Sequence, residues 1–355
     1  MPHHVQRILF IRLSAIGDIV MASGLPSSIK ASYSQIGVTT ELTWLVEKPY
    51  TEIVKYNPNV DKVITWPKSE WQQLLKSKKY WPLFKAIFAF RKQLKAQKFD
   101  VAIEAQGLLK SAVFTFISGA PKRIGFKSKE RSQKLLTHVV EKPKSNQICS
   151  EYRQLAKTIH AITTSSPNCT PPLYKMTIPV SQDVLPSPTE FSLNQPFIAL
   201  APFTTRPQKH WPEKHWLTLI KLLRQVTKMP IVVLGGPADV SYAEILTGND
   251  DNITSMAGKI SLVTSFKMVS LCSIFIGVDT GLTHAATAYF KPTVALFGST
   301  RPYTYTDNPH THVLYESFDC APCKRKPSCE GRFDCMQALH PEKVLNQLRP
   351  YINRN

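Results

Sequence analysis

Short apolar runs of strand type alternate with longer amphipathic runs of helix type along this sequence, and the alternation stops once and then restarts. Arg7–Leu13, Thr40–Val46, Lys62–Thr65 and Val101–Glu104 read as strands, with helices at Asp18–Ser32, Glu52–Tyr56, Tyr80–Gln97 and Lys110–Ser118. Strands separated by helices do not pair as hairpins, so this order predicts a mostly parallel sheet covered by helices on both faces. Residues 163–195 are rich in Pro, Ser and Thr, a linker composition. Strands then return at Phe197–Ala201, Ile231–Leu234, Ile274–Gly277 and Thr293–Phe297, with helices at Glu213–Val226, near Val240–Leu246 and at Gly281–Ala288. The expected fold is α/β, with two Rossmann-like, doubly wound parallel-sheet domains facing across a cleft. Their expected limits are 1–180, a linker at 181–195, and 196–340. A C-terminal helix at 341–355 is expected to pack back on the N-terminal domain. A length of 355 residues also suggests two domains.

The charge is uneven. Residues 1–190 carry a net +14 and residues 191–355 a net +5. An excess of that size in one half points to an anionic partner for that half. Two stretches concentrate it. One runs Lys76, Lys78, Lys79, Lys85, Arg91, Lys92, Lys95, Lys98 with Trp71, Trp81, Phe84 and Phe88 interleaved. The other runs Lys122, Arg123, Lys127, Lys129, Arg131, Lys134. Basic amphipathic segments with aromatics suit an anionic membrane surface or a nucleic acid, and solvated helix faces are the plain alternative. No apolar run reaches the length of a membrane-spanning helix. The N-terminus reads as a buried strand, without the small-residue cleavage site of a signal peptide. An odd count of seven Cys in a long chain argues against a secreted disulfide framework, so a cytoplasmic setting is expected.

Four loops that follow strands carry candidate chemistry. After the first strand comes Leu13-Ser14-Ala15-Ile16-Gly17-Asp18. Ser14 and Gly17 let a substrate approach the backbone, and Asp18 is either a general base for an acceptor hydroxyl or a helix-capping carboxylate. There is no GxGxxG loop, so a nicotinamide cofactor is not indicated. After the linker, Thr204-Thr205-Arg206 with Lys209 precedes a helix, which makes either a phosphate clamp or a polar turn. It lacks the P-loop pattern. Gly235-Gly236-Pro237-Ala238-Asp239 places a carboxylate where it can take ribose hydroxyls or sit in a surface turn. Gly277-Val278-Asp279-Thr280-Gly281-Leu282-Thr283-His284 opens a helix, so N–H groups at Thr280, Gly281 and Leu282 can meet a diphosphate. Asp279 can bind a sugar hydroxyl or cap, and His284 can reach a phosphate or be a core residue. Separately, Cys320-x2-Cys323-x5-Cys329-x5-Cys335 has four thiols, enough for tetrahedral zinc but not at the spacing of a usual zinc ribbon. Disulfides or reduced packing cysteines are the favoured readings there.

Taken together, LSAIGD near the N-terminus, FDVAIEAQGLLKSA at 99–112, TTRPQKHWPEKHW at 204–216 and GVDTGLTHAATA at 277–288 resemble the bacterial lipopolysaccharide heptosyltransferases, glycosyltransferase family nine, in the right order over most of the chain. Within that family, Ala105–Ser111 is more like the heptosyltransferase I branch, which adds the first heptose to Kdo on lipid A. The resemblance implies a GT-B fold and inverting transfer of L-glycero-D-manno-heptose from ADP-heptose, with neither metal nor cofactor. It implies Asp18 as catalytic base, Thr204, Thr205 and Lys209 at donor phosphates, and Thr280, Gly281 and Leu282 at the diphosphate. Asp279 falls at the heptose, Ile260 on the adenine side, and Asp239 where the family often has Glu for the ribose. Arg123 and Arg131 fall in the acceptor-phosphate region. The implied partners are ADP-heptose, Kdo-lipid A and the anionic cytoplasmic face of the inner membrane, with no nucleic acid. Rival readings are a later core sugar transferase, a sugar-nucleotide epimerase, or a non-enzymatic basic membrane- or nucleic-acid-binding module. The epimerase leaves the basic first half unexplained, and the binding module leaves the phosphate-type loops unexplained.

Overall fold

The computed structural model describes residues 5–165, 169–178, 195–300, 302–323 and 327–352. The chain divides into two units, Met1–Ser145 with Cys149–Pro179, and Asn146–Ile148 with Val180–Asn355. The expected linker lies outside the described residues apart from Gln195.

The first unit runs β1 (Gln6–Ile11), α1 (Ile16–Ala22), α2 (Leu25–Ser34), β2 (Thr40–Glu47), α3 (Thr51–Lys55), β3 (Lys62–Trp66), α4 (Lys68–Lys76), α5 (Tyr80–Ala96), β4 (Val101–Glu104), α6 (Leu109–Ile117), β5 (Lys122–Phe126), β6 (His138–Val140) and α7 (Ser150–Thr164). All its strands are parallel, in the order β3-β2-β1-β4-β5-β6. β1 is central, and Ile8, Leu9, Phe10 and Ile11 are wholly buried, as a strand covered on both faces requires. The helix expected at 18–32 is two helices. Pro26 has no N–H to give to Ala22, and its ring crowds that carbonyl, so the chain breaks at Ser23-Gly24. Gly24 is needed there, because a Cβ would stand 2.4 Å from the Lys175 carbonyl oxygen. That carbonyl belongs to a strap, residues 169–178, held to this unit by Thr177 N–H donating to Ser23 Oγ (2.9 Å) and Asn57 Nδ2 donating to Thr177 O (3.2 Å).

The second unit runs β7 (Ile198–Ala201), α8 (Glu213–Val226), β8 (Ile231–Val233), α9 (Val240–Thr247), β9 (Ile253–Ser255), α10 (Leu262–Leu271), β10 (Ile274–Val278), α11 (Gly281–Ala288), β11 (Thr293–Phe297), β12 (Thr311–Tyr315), α12 (Asp334–Gln337) and α13 (Pro341–Ile352). Its strands are also all parallel, in the order β12-β11-β10-β7-β8-β9. Counted from its own first strand, this is the order of the first unit. Asn146–Ile148 join this unit. Ile148 N–H donates to Tyr305 O (2.9 Å), and Asn146 O accepts from Thr304 and Tyr305 N–H. Val344, Leu345, Leu348 and Ile352 of α13 enter the second unit's own core beside Trp216, Leu219 and Leu223 of α8.

Candidate functional site

An open parallel sheet opens a crevice where its strand order reverses, at the carboxyl ends of the two strands on either side. In the first unit those strands are β1 and β4, and in the second β7 and β10. The loops singled out in the sequence at Ser14–Asp18, Thr204–Lys209, Gly235–Asp239 and Asp279–Leu282 all follow strands at that edge.

In the first unit a buried cation spans the reversal point. Arg12, just past β1, donates from one guanidinium nitrogen to Ala105 O at the end of β4 (2.8 Å) and pairs through the other with Asp18 Oδ2 (2.5 Å). Burial acts against the Arg12 charge, yet the fields of Tyr152, Asp18, Glu151 and Glu104 leave its pKa raised, so it is a permanent cation. Asp18 Oδ2 also accepts from Ala15 N–H (3.2 Å) and so caps α1. The capping reading holds, and the carboxylate remains 39% exposed with both contacts on one oxygen. Leu13 N–H donates to Gln106 Oε1 (3.3 Å), a second tie from β1 to β4.

Two further carboxylates stiffen this loop, and neither was evident in the sequence. Glu104 is wholly buried, and burial raises its pKa. It accepts from Ser111 Oγ (2.5 Å) and from the N–H groups of Gln106 and Gly107 (2.8 Å). Glu47, at the end of β2, accepts from Ser14 Oγ (2.9 Å) and pairs with Lys68 (3.0 Å) and Lys110 (3.6 Å). Burial lowers the Lys110 pKa. Glu47, Trp66 and Lys68 help line a cavity of about 100 Å³. Ser14 thus spends its hydroxyl on Glu47, while Gly17 is half-buried in the first turn of α1.

The two acceptor arginines separate. Arg123 is level with Ala102 near the amino end of its strand, away from the carboxyl edge. Its Nε donates to Leu135 O and its Nη1 to Ala120 O, both at 2.8 Å. Arg131 is exposed in the loop after β5, on the carboxyl edge.

In the second unit the reversal point is again spanned by a cation and a carboxylate. Lys209, in the loop after β7, pairs with Asp279 Oδ2 at the end of β10. Thr300 Oγ1 donates to the same oxygen (2.6 Å), and His284 Nε2 lies 3.4 Å from Oδ1. Burial pushes the Asp279 pKa up, but His284 and Lys209 more than offset it and hold the carboxyl well below the usual range. His284 is itself buried and bonded through Nδ1 to Tyr303 Oη (2.9 Å). Its two nitrogens are therefore engaged by Asp279 and Tyr303. Thr300 and Tyr303 completed this network unannounced by any local pattern.

Around the pair, Thr280 is the N-cap residue of α11. The N–H groups of Gly281 and Leu282 therefore sit in the first turn, where a helix has no internal acceptors for them. Gly277 is required behind this loop, because a Cβ there would stand 2.7 Å from Thr283 Oγ1. Thr204 is half-buried, with its carbonyl held by His210 Nε2 (2.7 Å), and Thr205 is exposed. Asp239 uses Oδ2 to accept from Gly236 N–H (2.7 Å), which closes its own turn. Ile260 is half-buried in the turn that leads into α10.

The four clustered cysteines, Cys320, Cys323, Cys329 and Cys335, are free thiols, with burial raising Cys335 to about 11. Among the described residues no group of three or more His, Cys, Asp or Glu is arranged to hold a metal.

Two doubly wound parallel-sheet units are the architecture of the GT-B fold. Escherichia coli heptosyltransferase WaaC with ADP-2-deoxy-2-fluoro heptose shares it, with a TM-score of 0.73 and 23% identity over 97% of this chain and 99% of that one. The profile of Glycosyltransferase family 9 (heptosyltransferase) matches residues 87–333, and the chain belongs to that family and is a glycosyltransferase. It is 28% identical to lipopolysaccharide heptosyltransferase 1 of Pseudomonas aeruginosa, over 98% of each chain. It is 26% identical to the enzyme of that name from Salmonella typhimurium, over 83% of this chain and 89% of that one.

Proposed function

We propose that this enzyme transfers L-glycero-D-manno-heptose from ADP-heptose to a Kdo hydroxyl of Kdo-lipid A, the first heptose of the lipopolysaccharide core, at the anionic cytoplasmic face of the inner membrane. The observation that carries the reading is the state of Asp18. Arg12 and the Ala15 N–H hold it through Oδ2, while Oδ1 meets no protein donor among the described residues. A carboxylate held by one oxygen and open at the other is suited to general-base work.

The reaction is a single displacement. Asp18 takes the proton of the Kdo hydroxyl as that oxygen forms a bond to the anomeric carbon of the heptose. The bond from that carbon to the β-phosphate oxygen breaks on the opposite face, its electron pair leaves with ADP, and the configuration inverts. Lys209 and the N–H groups of Gly281 and Leu282 meet the charge that grows on the diphosphate. Such preorganised donors usually supply the largest share of the rate, roughly 100–1000-fold for each one. Thr204 and Thr205 bind phosphate oxygens, Asp279 orients the heptose, Asp239 Oδ1 takes a ribose hydroxyl and Ile260 packs against the adenine. In this reading the transfer takes place without metal or cofactor.

The relatives named as lipopolysaccharide heptosyltransferase 1 support the choice of acceptor, as does the positive first unit, which must meet phosphate and Kdo carboxylates. Mass spectrometry of Kdo-lipid A after incubation with protein and ADP-heptose tests the proposal, with Asp18→Ala alongside. One added heptose with wild type and none with the variant is the expected result. ADP-heptose binding without transfer would remove this acceptor, and no donor binding would remove the sugar nucleotide.

A further inference from the structure

The helical hairpin α4–α5 departs from the rest of the first unit. No residue of α4 is buried, and in α5 the first buried residue is Phe90, ten residues after its start. Before that point Tyr80, Trp81, Phe84 and Phe88 are 62%, 66%, 60% and 55% exposed. Positions 81, 84 and 88 lie on one helix face. The rings of Trp81 and Phe84 stack at 5.8 Å, with the Lys85 ammonium 5.4 Å from the Trp81 ring centre. Residues 68–98 contain nine Lys or Arg and one acid, Glu70. Lys76, Lys78, Lys79, Arg91 and Lys92 are exposed and make no ion pair among the described residues.

An exposed aromatic cluster marks an interaction surface, and its charge selects the partner. A second copy of the chain would bring the same excess of cations against this one in a two-fold contact, and like charges would oppose it. A single-stranded nucleic acid needs separate ring faces for its bases. Here Trp81 and Phe84 stack on each other beside Phe88, which makes an apolar wedge. A wedge of aromatics flanked by Lys and Arg is the pattern of a helix lying in a bilayer interface.

We propose that α4–α5 is the membrane-binding element, with Trp81, Phe84 and Phe88 entering the headgroup–acyl boundary of an anionic phospholipid bilayer and the surrounding Lys and Arg at the phosphate level. The inference deepens the reading of a lipid-anchored acceptor, which places the enzyme at such a surface, but its observations are independent of Asp18 and Lys209. The full chain is mixed with phosphatidylcholine vesicles, with and without phosphatidylglycerol, and bound protein is measured by flotation. Binding is expected only with phosphatidylglycerol and is expected to weaken as salt rises. Trp81→Ala/Phe84→Ala/Phe88→Ala is expected to lower it about 1000-fold, at roughly tenfold for each half-buried ring. Brominated lipid is expected to quench wild-type fluorescence more than that of Trp81→Phe.

The triple variant is expected to keep the wild-type transfer rate on a deacylated, soluble Kdo acceptor, which shows that it is folded. Should it fail to fold, Lys78→Glu/Lys79→Glu/Lys85→Glu is the second variant, with the same loss expected. Equal binding by variant and wild type overturns the proposal. So does a change of oligomeric state in the variant, or a loss of oligonucleotide binding with no vesicle binding in wild type. Failure of wild type on the soluble acceptor overturns the transferase reading and leaves the vesicle result to stand alone.

Discussion

Replacing Asp279 by Asn removes one charge from a pair in which the Asp279 and Lys209 side chains are 10% and 14% exposed. An amide oxygen still accepts from Thr300, so the loss is that of the ion pair, and Lys209 is left as a nearly buried cation with no counter-charge. Breaking a buried pair from one side costs about 3–5 kcal/mol. The surviving Thr300 bond puts the expectation at the lower end, about 3 kcal/mol. For a unit of this size that corresponds to roughly 6–12 °C in melting temperature. The pH dependence has a definite sign. The folded Asp279 carboxyl is held below the usual range, so its contribution is complete above the unfolded value of about 4 and is lost as the pH falls further. Calorimetry of wild type and Asp279→Asn from neutral pH downward is the assay. The two curves should be well separated at pH 7 and converge below about pH 4. Lys209→Met/Asp279→Asn, with neither charge left, should recover most of the loss. Equal melting temperatures at neutral pH, or a double variant as weak as the sum of the singles, would refute the coupling.

Asp18→Asn keeps the helix cap but not the base. Its turnover should fall roughly 100- to 10,000-fold with little change in ADP-heptose affinity by calorimetry. Arg12→Met leaves the Ala105 carbonyl without its buried donor and Asp18 without its holder. It should cost about 1–3 kcal/mol in urea unfolding and lower kcat more than it raises KM. Gly277→Ala forces a methyl to within 2.7 Å of Thr283 Oγ1 and 2.8 Å of the Phe275 ring, and should destabilise the second unit by about 1–3 kcal/mol in the same assay.

The strand–helix rhythm made the two parallel sheets legible, because a central strand covered on both faces needs a continuous apolar run. Edge strands were less legible: β3 was read, but β6 is three residues long and no residue of β12 is fully buried, so neither has that run. The break between α1 and α2 was encoded in Pro26, but the amphipathic pattern on either side outweighed it. The loop positions of Asp18, Lys209 and Asp279 could be read from their place after strands. Their partners could not, since Glu47 lies 33 residues from Ser14 and Ala105 lies 93 residues from Arg12. Parallel pairing alone brings such residues together, and no local pattern records it.

The excursion of Asn146–Ile148 into the second unit bears on how these halves can be inherited. Both have the same strand order, so each resembles a module that could be exchanged by one crossover at the Pro-rich segment. The chain, however, passes from one unit to the other three times. A fragment starting at residue 180 would lack Asn146 and Ile148, and Tyr305 would lose both of its backbone partners. A swap at the obvious linker therefore carries a three-residue debt to the discarded half. Functional chimaeras of this fold should be those whose donor and recipient agree at 146–148 as well as at the seam.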